Sequence, residues 1–186
     1  MRITGGTLKG RPLRAPDGMG TRPTADRVRE ALFNILAHHD WGEALGDPLE
    51  GAIVLDAFAG TGALGIEAIS RGASSCTFFE KDRKALTCLK ENLRLLGDSK
   101  AITVLPVDVT RPPKAMQAAT LVFLDPPYHK GLIEAALSGL TAQGWIAPHA
   151  LLVCETAKDE TLALPAPFTI ALERTYGDTK LWFVCG

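Results

Sequence analysis

The chain has 186 residues, with 20 lysines and arginines against 21 aspartates and glutamates, for a formal net charge of −1. Apolar residues make up 46% and charged residues 22%, which excludes a disordered chain, a collagen-like chain and a polybasic tail protein. One domain over 1–186 is expected, burying roughly 70% of its unfolded surface.

Residues 1–23 are rich in Gly, Pro and basic side chains and read as an irregular or short-stranded extension. A helix follows, with Thr24 as a candidate N-cap and Asp26 in the first turn. Val28, Leu32, Ile35 and Leu36 give it one apolar face. Trp41 to Gly51 reads as a loop. Strands and helices then alternate: strand 53–56, helix 63–71 ending at Gly72, strand 76–79, and a helix capped by Asp82 and ended by Gly97. Leu86, Leu89, Leu93 and Leu96 line that helix. Strands at 102–105 and 121–124, a helix at 132–140 and a strand at 151–154 complete the alternation. Two further strand-like runs, 168–175 and 180–184, flank Gly177-Asp178, a hairpin signal. This pattern predicts an α/β protein on a parallel sheet with an antiparallel closing strand.

The four cysteines (76, 88, 154 and 185) form no C-x-x-C, and no His pair stands at metal-ligand spacing, so no zinc site is expected. Cys76 and Cys154 lie in apolar runs and read as core thiols. Free thiols, a start without an apolar signal segment and no apolar run of about 20 residues point to the cytoplasm. The charge is unevenly spread. Residues 1–36 carry Arg2, Lys9, Arg11, Arg14, Arg22, Arg27 and Arg29 against Asp17, Asp26 and Glu30, whereas the remainder is acidic. A basic leader before an acidic body points to a localised anionic partner, nucleic acid first.

Gly60, Gly62 and Gly65 form G-x-G-x-x-G between the first strand and its helix. Gly60 and Gly62 allow a sharp turn and close approach to a ligand; Gly65 allows the helix to pack on the sheet. Glu80 ends the second strand 20 residues after Gly60, where a carboxylate can accept ribose hydroxyls. No Walker lysine follows the loop. Asp56 would sit close to the pyrophosphate of a dinucleotide; it suits a cationic cofactor such as S-adenosylmethionine better than NAD.

The fourth strand runs into Asp125-Pro126-Pro127-Tyr128. The prolines stiffen the turn and remove two donors, leaving the Asp125 carboxylate and the Pro126 carbonyl as fixed acceptors. Two acceptors suit an NH₂ group, and Tyr128 offers a face on which a base can stack.

Together these segments resemble amino-directed, S-adenosylmethionine-dependent methyltransferases. Arg2-Ile-Thr-Gly-Gly, Lys9-Gly-Arg-Pro-Leu and the run from Arg22 to Asn34 further resemble the leader of the bacterial 16S rRNA guanine-N2 methyltransferases, which modify guanine 966. The resemblance implies a Rossmann-like class I sheet of seven strands with the last antiparallel, plus a short basic extension over 1–36. It implies that Asp56, Phe58, Ala59, Gly60, Thr61 and Gly62 hold the methionine part of the cofactor. Glu80 and Lys81 would bind its ribose, and Asp108 and Val109 its adenine. Asp125, Pro126, Pro127 and Tyr128 would form the catalytic turn, and the seven basic leader residues would grip 16S rRNA, within the 30S subunit or an assembly intermediate. A monomer is expected. Thr4 stands where a more apolar residue is expected. Two other readings stay open here: a methyltransferase acting on DNA adenine or a protein amine, and an NAD-linked oxidoreductase.

Overall fold

Near-continuous apolar runs pair only with strands covered on both faces, and this chain builds such a sheet. The computed structural model describes residues 1–15, 23–43, 45–97 and 101–186, with only the backbone of 23–25. The strands are β1 (Ile53–Asp56), β2 (Ser75–Phe79), β3 (Ile102–Leu105), β4 (Ala119–Leu124), β5 (Ile146–Ala157), β6 (Thr169–Tyr176) and β7 (Thr179–Cys185). The helices are α1 (Pro23–His38), α2 (Ala63–Ser70), α3 (Arg83–Leu93) and α4 (Leu132–Ala142). Strand order is β3-β2-β1-β4-β5-β7-β6. The first five strands run parallel; β7 lies antiparallel between β5 and β6.

The sheet separates two cores. On one face Val54, Phe78, Phe123, Val153 and Phe183 pack with Leu32, Phe33 and Leu36 of α1 and with Ile66 and Leu89. On the other, Leu55, Phe79, Val122 and Leu152 pack with Ile133, Leu137 and Leu140 of α4. Cys76 and Cys154 are buried free thiols, as their apolar contexts require.

Several boundaries differ from expectation for local reasons. Helix α1 begins at Pro23, so Thr24 lies in its first turn rather than at its cap; proline loses nothing at a first helical position. Strand β5 begins at Ile146, well before Leu151. The β4–β5 register shifts between Ala119 and Leu121, and Pro148 and His149 (φ 60°) lie in that stretch. The Asp82 cap is realised, its carboxylate accepting from Lys84 N and Ala85 N.

The leader is a docked hairpin-like strap. Arg2 bridges Pro12, Ile3 N donates to Arg11 O at 3.0 Å, and Leu13 N donates to Met1 O at 3.0 Å. Ile3 and Leu13 are buried in the α1-side core, which leaves Arg2, Lys9, Arg11 and Arg14 outside. Buried Glu67 of α2 binds the strap, accepting from Thr4 N, Thr4 Oγ1 and Gly5 N at 2.7–2.8 Å. Thr4, polar where an apolar residue is expected, thus meets a buried carboxylate.

Candidate active site

A loop that must leave a parallel strand, reverse and start a helix needs its own hydrogen bonds. After β1, Ala57 N donates to Phe123 O and Ala59 N to Phe79 O, which stitches the loop across both neighbouring strands. Gly60 and Gly62 take φ of 53° and 79°, the left-handed region that favours glycine. Gly60 N donates to Glu80 Oε2 at 2.8 Å, and Asp82 N donates to Glu80 Oε1 at 2.7 Å. Gly62 at the α2 N-cap has no side chain to offer; Asp56 Oδ2 accepts from Gly65 N at 3.0 Å instead. A Cβ on Gly65 would meet Phe78 Cε1 at 2.4 Å and Cys76 Sγ at 2.6 Å, the helix–sheet contact expected for that glycine. At Gly62 the crowding also comes from inside, from Leu89 Cδ1 at 2.4 Å.

The site's main electrostatic feature is a row of carboxyls. Asp56 pairs in register with Phe78 and with Phe123, so Glu80 and Asp125, each two residues further on, belong to the same face. Leu124 pairs with Cys154, so Glu155 is Asp125's neighbour on β5. Glu80, Asp56 and Asp125 thus stand at the ends of three adjacent strands, with Glu155 next to them two residues before the end of β5. Burial pushes the Asp56 carboxyl up to about 7; Gly65 N opposes this and Glu80 adds to it. Asp125 is raised well above the carboxylate range by the protein crowded round it, then by Glu155 and Asp56. Its side chain remains open to the cleft, which tempers the crowding. Like charges on both sides still fix the upward sign.

The Asp125–Tyr128 turn stands at the carboxyl end of β4, beside the glycine loop. Among the described residues, neither the Asp125 carboxylate nor the Pro126 carbonyl receives a hydrogen bond. Pro126 is buried and Pro127 exposed. Tyr128 is half-buried, and its hydroxyl donates to Glu155 Oε1 at 2.6 Å and lies 3.0 Å from Thr179 Oγ1. Burial and the Glu155 carboxylate push its phenol up, so it stays protonated and its ring edge stays fixed. A small open cleft adjoins the turn, between Pro126, Tyr128, Leu132, Glu155, Glu160 and Leu162.

Glu155 is a residue that sequence reasoning missed. Its signal was available: an acidic side chain directly after the apolar run 151–154, the same placement that singled out Asp56, Glu80 and Asp125.

Of the remaining cofactor candidates, Phe58 and Thr61 are half-buried in the loop, and Ala59 is buried. Asp108 Oδ1 accepts from Thr110 N at 3.0 Å and Thr110 Oγ1 at 2.8 Å, the bonds of a turn residue. Its other oxygen takes Lys81 Nζ at 2.7 Å, and Lys81 and then Thr110 hold the carboxyl down at about 2. The Val109 side chain packs in the α4-side core.

The expected RNA-binding set needs one correction. Arg29 is only 5% exposed; it donates to Arg2 O at 2.6 Å, pairs with Asp26 at 3.1 Å, and its Nε lies 3.6 Å from Glu67 Oε2. Arg71 is the hydrogen-bonded cation of Glu67 at 2.9 Å, and Arg29, tied to Arg2 O and Asp26, adds a second buried positive charge beside that carboxylate rather than facing an external anion. Arg2, Lys9, Arg11, Arg14 and Arg27 are exposed. Arg22 lies outside the described residues.

The seven-stranded α/β sheet with its antiparallel closing strands is that of the Rossmann-like methyltransferases. Within that class the chain belongs to the family described as Conserved hypothetical protein 95, whose model matches residues 1–185. It is 39% identical over 181 residues to the Haemophilus influenzae protein named Ribosomal RNA small subunit methyltransferase D, covering 95% of this chain and 89% of that one. It is 38% identical over 178 residues to the Escherichia coli K12 protein of the same name, covering 95% and 85%. The solved structure of the Escherichia coli protein yhhF superposes with a TM-score of 0.81 at 35% identity, covering 100% of this chain and 97% of that one.

Proposed function

We propose that this chain transfers the methyl group of S-adenosylmethionine to the exocyclic N2 amine of one guanine, guanine 966, in 16S rRNA. The observation that carries the reading is the pair of unengaged acceptors, Asp125 carboxylate and Pro126 carbonyl, fixed beside the glycine loop. The relatives' names supply the rRNA of the small subunit. The leader, with Arg2, Lys9, Arg11, Arg14 and Arg27 exposed, suits a phosphate backbone. The chain acts as a monomer on the 30S subunit or an assembly intermediate.

The residues present fit the cofactor. A carboxyl row suits a molecule carrying an ammonium and a sulfonium, and a buried Asp56 that is half-protonated near neutrality becomes a full anion beside a cation. Glu80 uses one lone pair on each oxygen for Gly60 N and Asp82 N, which leaves acceptor capacity for ribose hydroxyls. The sulfonium supplies an activated methyl group.

The protein's task is the amine, whose lone pair is delocalised into the ring. Asp125 and the Pro126 carbonyl accept its two N–H groups and turn that lone pair outward. These bonds strengthen as positive charge grows on nitrogen, so they act in the transition state. Tyr128, anchored through its hydroxyl, presents its ring to an unpaired or flipped-out guanine. The stiff turn aligns the amine with the methyl group, and Asp125 or water takes the proton that leaves nitrogen.

The test is methyl transfer from labelled S-adenosylmethionine to unmethylated 16S rRNA, naked and as small subunits, with the product digested to nucleosides for mass spectrometry. N2-methylguanosine at one site is expected. Label appearing instead on DNA adenine or protein amines, with none on either RNA, would reject the rRNA reading and keep the amine chemistry.

A further inference from the structure

Helix α3 and the turn that follows it carry Arg83, Lys84, Lys90 and Arg94 against a single carboxylate, Glu91. Arg83, Thr87, Lys90 and Arg94 recur at i, i+4, i+7 and i+11, one stripe of a helix, and all four are exposed. The opposite side buries Cys88, Leu89 and Asn92. Among the described residues none of the cations Arg83, Lys84, Lys90 and Arg94 forms an ion pair, whereas Lys81 and Lys158 are neutralised at 2.6–2.7 Å by Asp108 and Asp178. Glu91 is itself occupied by Arg14 at 3.0 Å.

The strap meets α3 at this point. Asn92 Oδ1 accepts from Arg14 N at 2.8 Å and its Nδ2 donates to Arg14 O at 3.0 Å. These bonds fix the Arg14 backbone on the buried side of α3, and its side chain, 76% exposed, reaches round to Glu91 and so borders the stripe. The stripe begins three residues after Glu80, at the rim of the cleft, and runs away from it for roughly 16 Å at 1.5 Å per residue. Like charges at this spacing repel one another unless a polyanion lies across them.

The carboxyl row explains why such a surface is needed. The cleft floor at Glu80, Asp56, Asp125 and Glu155 is lined by carboxyls and, among the described residues, presents no cation to a phosphate. A guanine can enter that floor only if cations outside it hold the flanking backbone. We propose that the exposed stripe of α3 is a second phosphate-binding surface for rRNA, joined to the leader at Arg14. The proposal rests on the rRNA reading above.

The experiment measures binding of unmethylated 16S rRNA to the full chain, loaded with S-adenosylhomocysteine, across a salt series. The double variant Lys90→Ala/Arg94→Ala is compared with Arg11→Ala/Arg14→Ala and with wild type. The α3 variant is expected to bind at least about tenfold more weakly at low salt. Its log K against log salt slope should become shallower by about 0.7 per cation removed on single-stranded RNA. Its melting temperature and S-adenosylhomocysteine affinity should match wild type, because both side chains are exposed. A leader variant that loses affinity beside an unchanged α3 variant would overturn the α3 surface and leave the rRNA reading intact. Wild type with no salt-dependent RNA binding would overturn both.

Discussion

Asn92 and Thr61 stand 31 residues apart and share a hydrogen bond, Nδ2 to carbonyl oxygen, of 2.8 Å. The same nitrogen donates to Arg14 O. One buried amide thus joins the basic strap to the loop proposed to hold the cofactor. Binding at either end should therefore be felt at the other, reciprocally. S-adenosylhomocysteine is expected to tighten RNA binding severalfold in wild type, and Asn92→Ala to bring that ratio close to one. The variant also strands three backbone groups, so a loss of about 1–3 kcal/mol in stability is expected. That loss alone would not change the ratio. An unchanged ratio would make Asn92 a purely structural bridge.

Asp125 should dominate turnover. Asp125→Asn keeps the shape of the turn but trades an anionic acceptor that can take up a proton for a neutral, weaker one. Turnover is expected to fall by at least about 10²-fold, the scale of losing one preorganised transition-state bond, with S-adenosylhomocysteine binding nearly unchanged. The pH profile carries a sign. A raised Asp125 pKa means that the accepting carboxylate accumulates only as pH rises, so kcat/KM should climb with pH. Glu155→Gln removes a neighbouring charge and should move that midpoint downward. A flat profile in wild type would rule out the carboxylate role.

Much of this site is legible in the sequence, because polar residues that end apolar strands collect at one edge of a parallel sheet. Asp56, Glu80 and Asp125 each follow such a run, and the glycines between β1 and α2 supply the turn. Glu155 obeys the same rule but has no neighbouring motif to draw attention to it. Arg29 was misread because a charge in a basic run says nothing about depth; Glu67, the buried carboxylate it lies against, is 38 residues away, on the inward face of α2. The α3 stripe escaped notice because its cations were averaged into an acidic body. The strap's docking was illegible for a similar reason: Ile3 and Leu13 are single apolar residues with no periodicity, and only tertiary contact reveals them as anchors.

Asp56 makes cofactor affinity pH-dependent. With its pKa near 7, about half of the free protein holds a proton there at neutrality. A cation beside it favours the ionised form, so binding releases that proton below pH 7. Affinity for S-adenosylmethionine should rise by up to about tenfold per unit as pH approaches 7 from below, and level off above it. Stability of the ligand-free protein should show the opposite trend. A raised carboxyl pKa means the folded state holds more protons than the unfolded one, so this contribution to stability is present below about 4 and is lost as pH rises through 7. Asp56→Asn keeps an acceptor for Gly65 N and should flatten both curves. Titration calorimetry and thermal melts across pH 5–8 would check the pair; parallel slopes in wild type and variant would remove Asp56 from the account.

Glu67 should be the residue on which the strap's docking depends most. It is fully buried, and its two oxygens receive Thr4 N, Thr4 Oγ1, Gly5 N and Arg71 Nε at 2.7–2.9 Å, with Arg29 completing the charge balance. Glu67→Ala removes the anion and leaves Arg29 buried with only Asp26 beside it. Breaking a buried pair from one side costs about 3–5 kcal/mol, which for a chain of this size lowers the melting temperature by roughly 6–20 °C. Glu67→Gln keeps acceptor and volume and should cost less. The strap should also loosen selectively: trypsin cleavage after Lys9 and Arg14 should speed up in Glu67→Ala well below its melting temperature. RNA affinity should fall with it, since Arg2, Lys9 and Arg11 are presented by that strap. A variant that melts early but keeps wild-type cleavage at Lys9 and Arg14 would place the anchoring with Ile3 and Leu13 in the core, and not with the carboxylate.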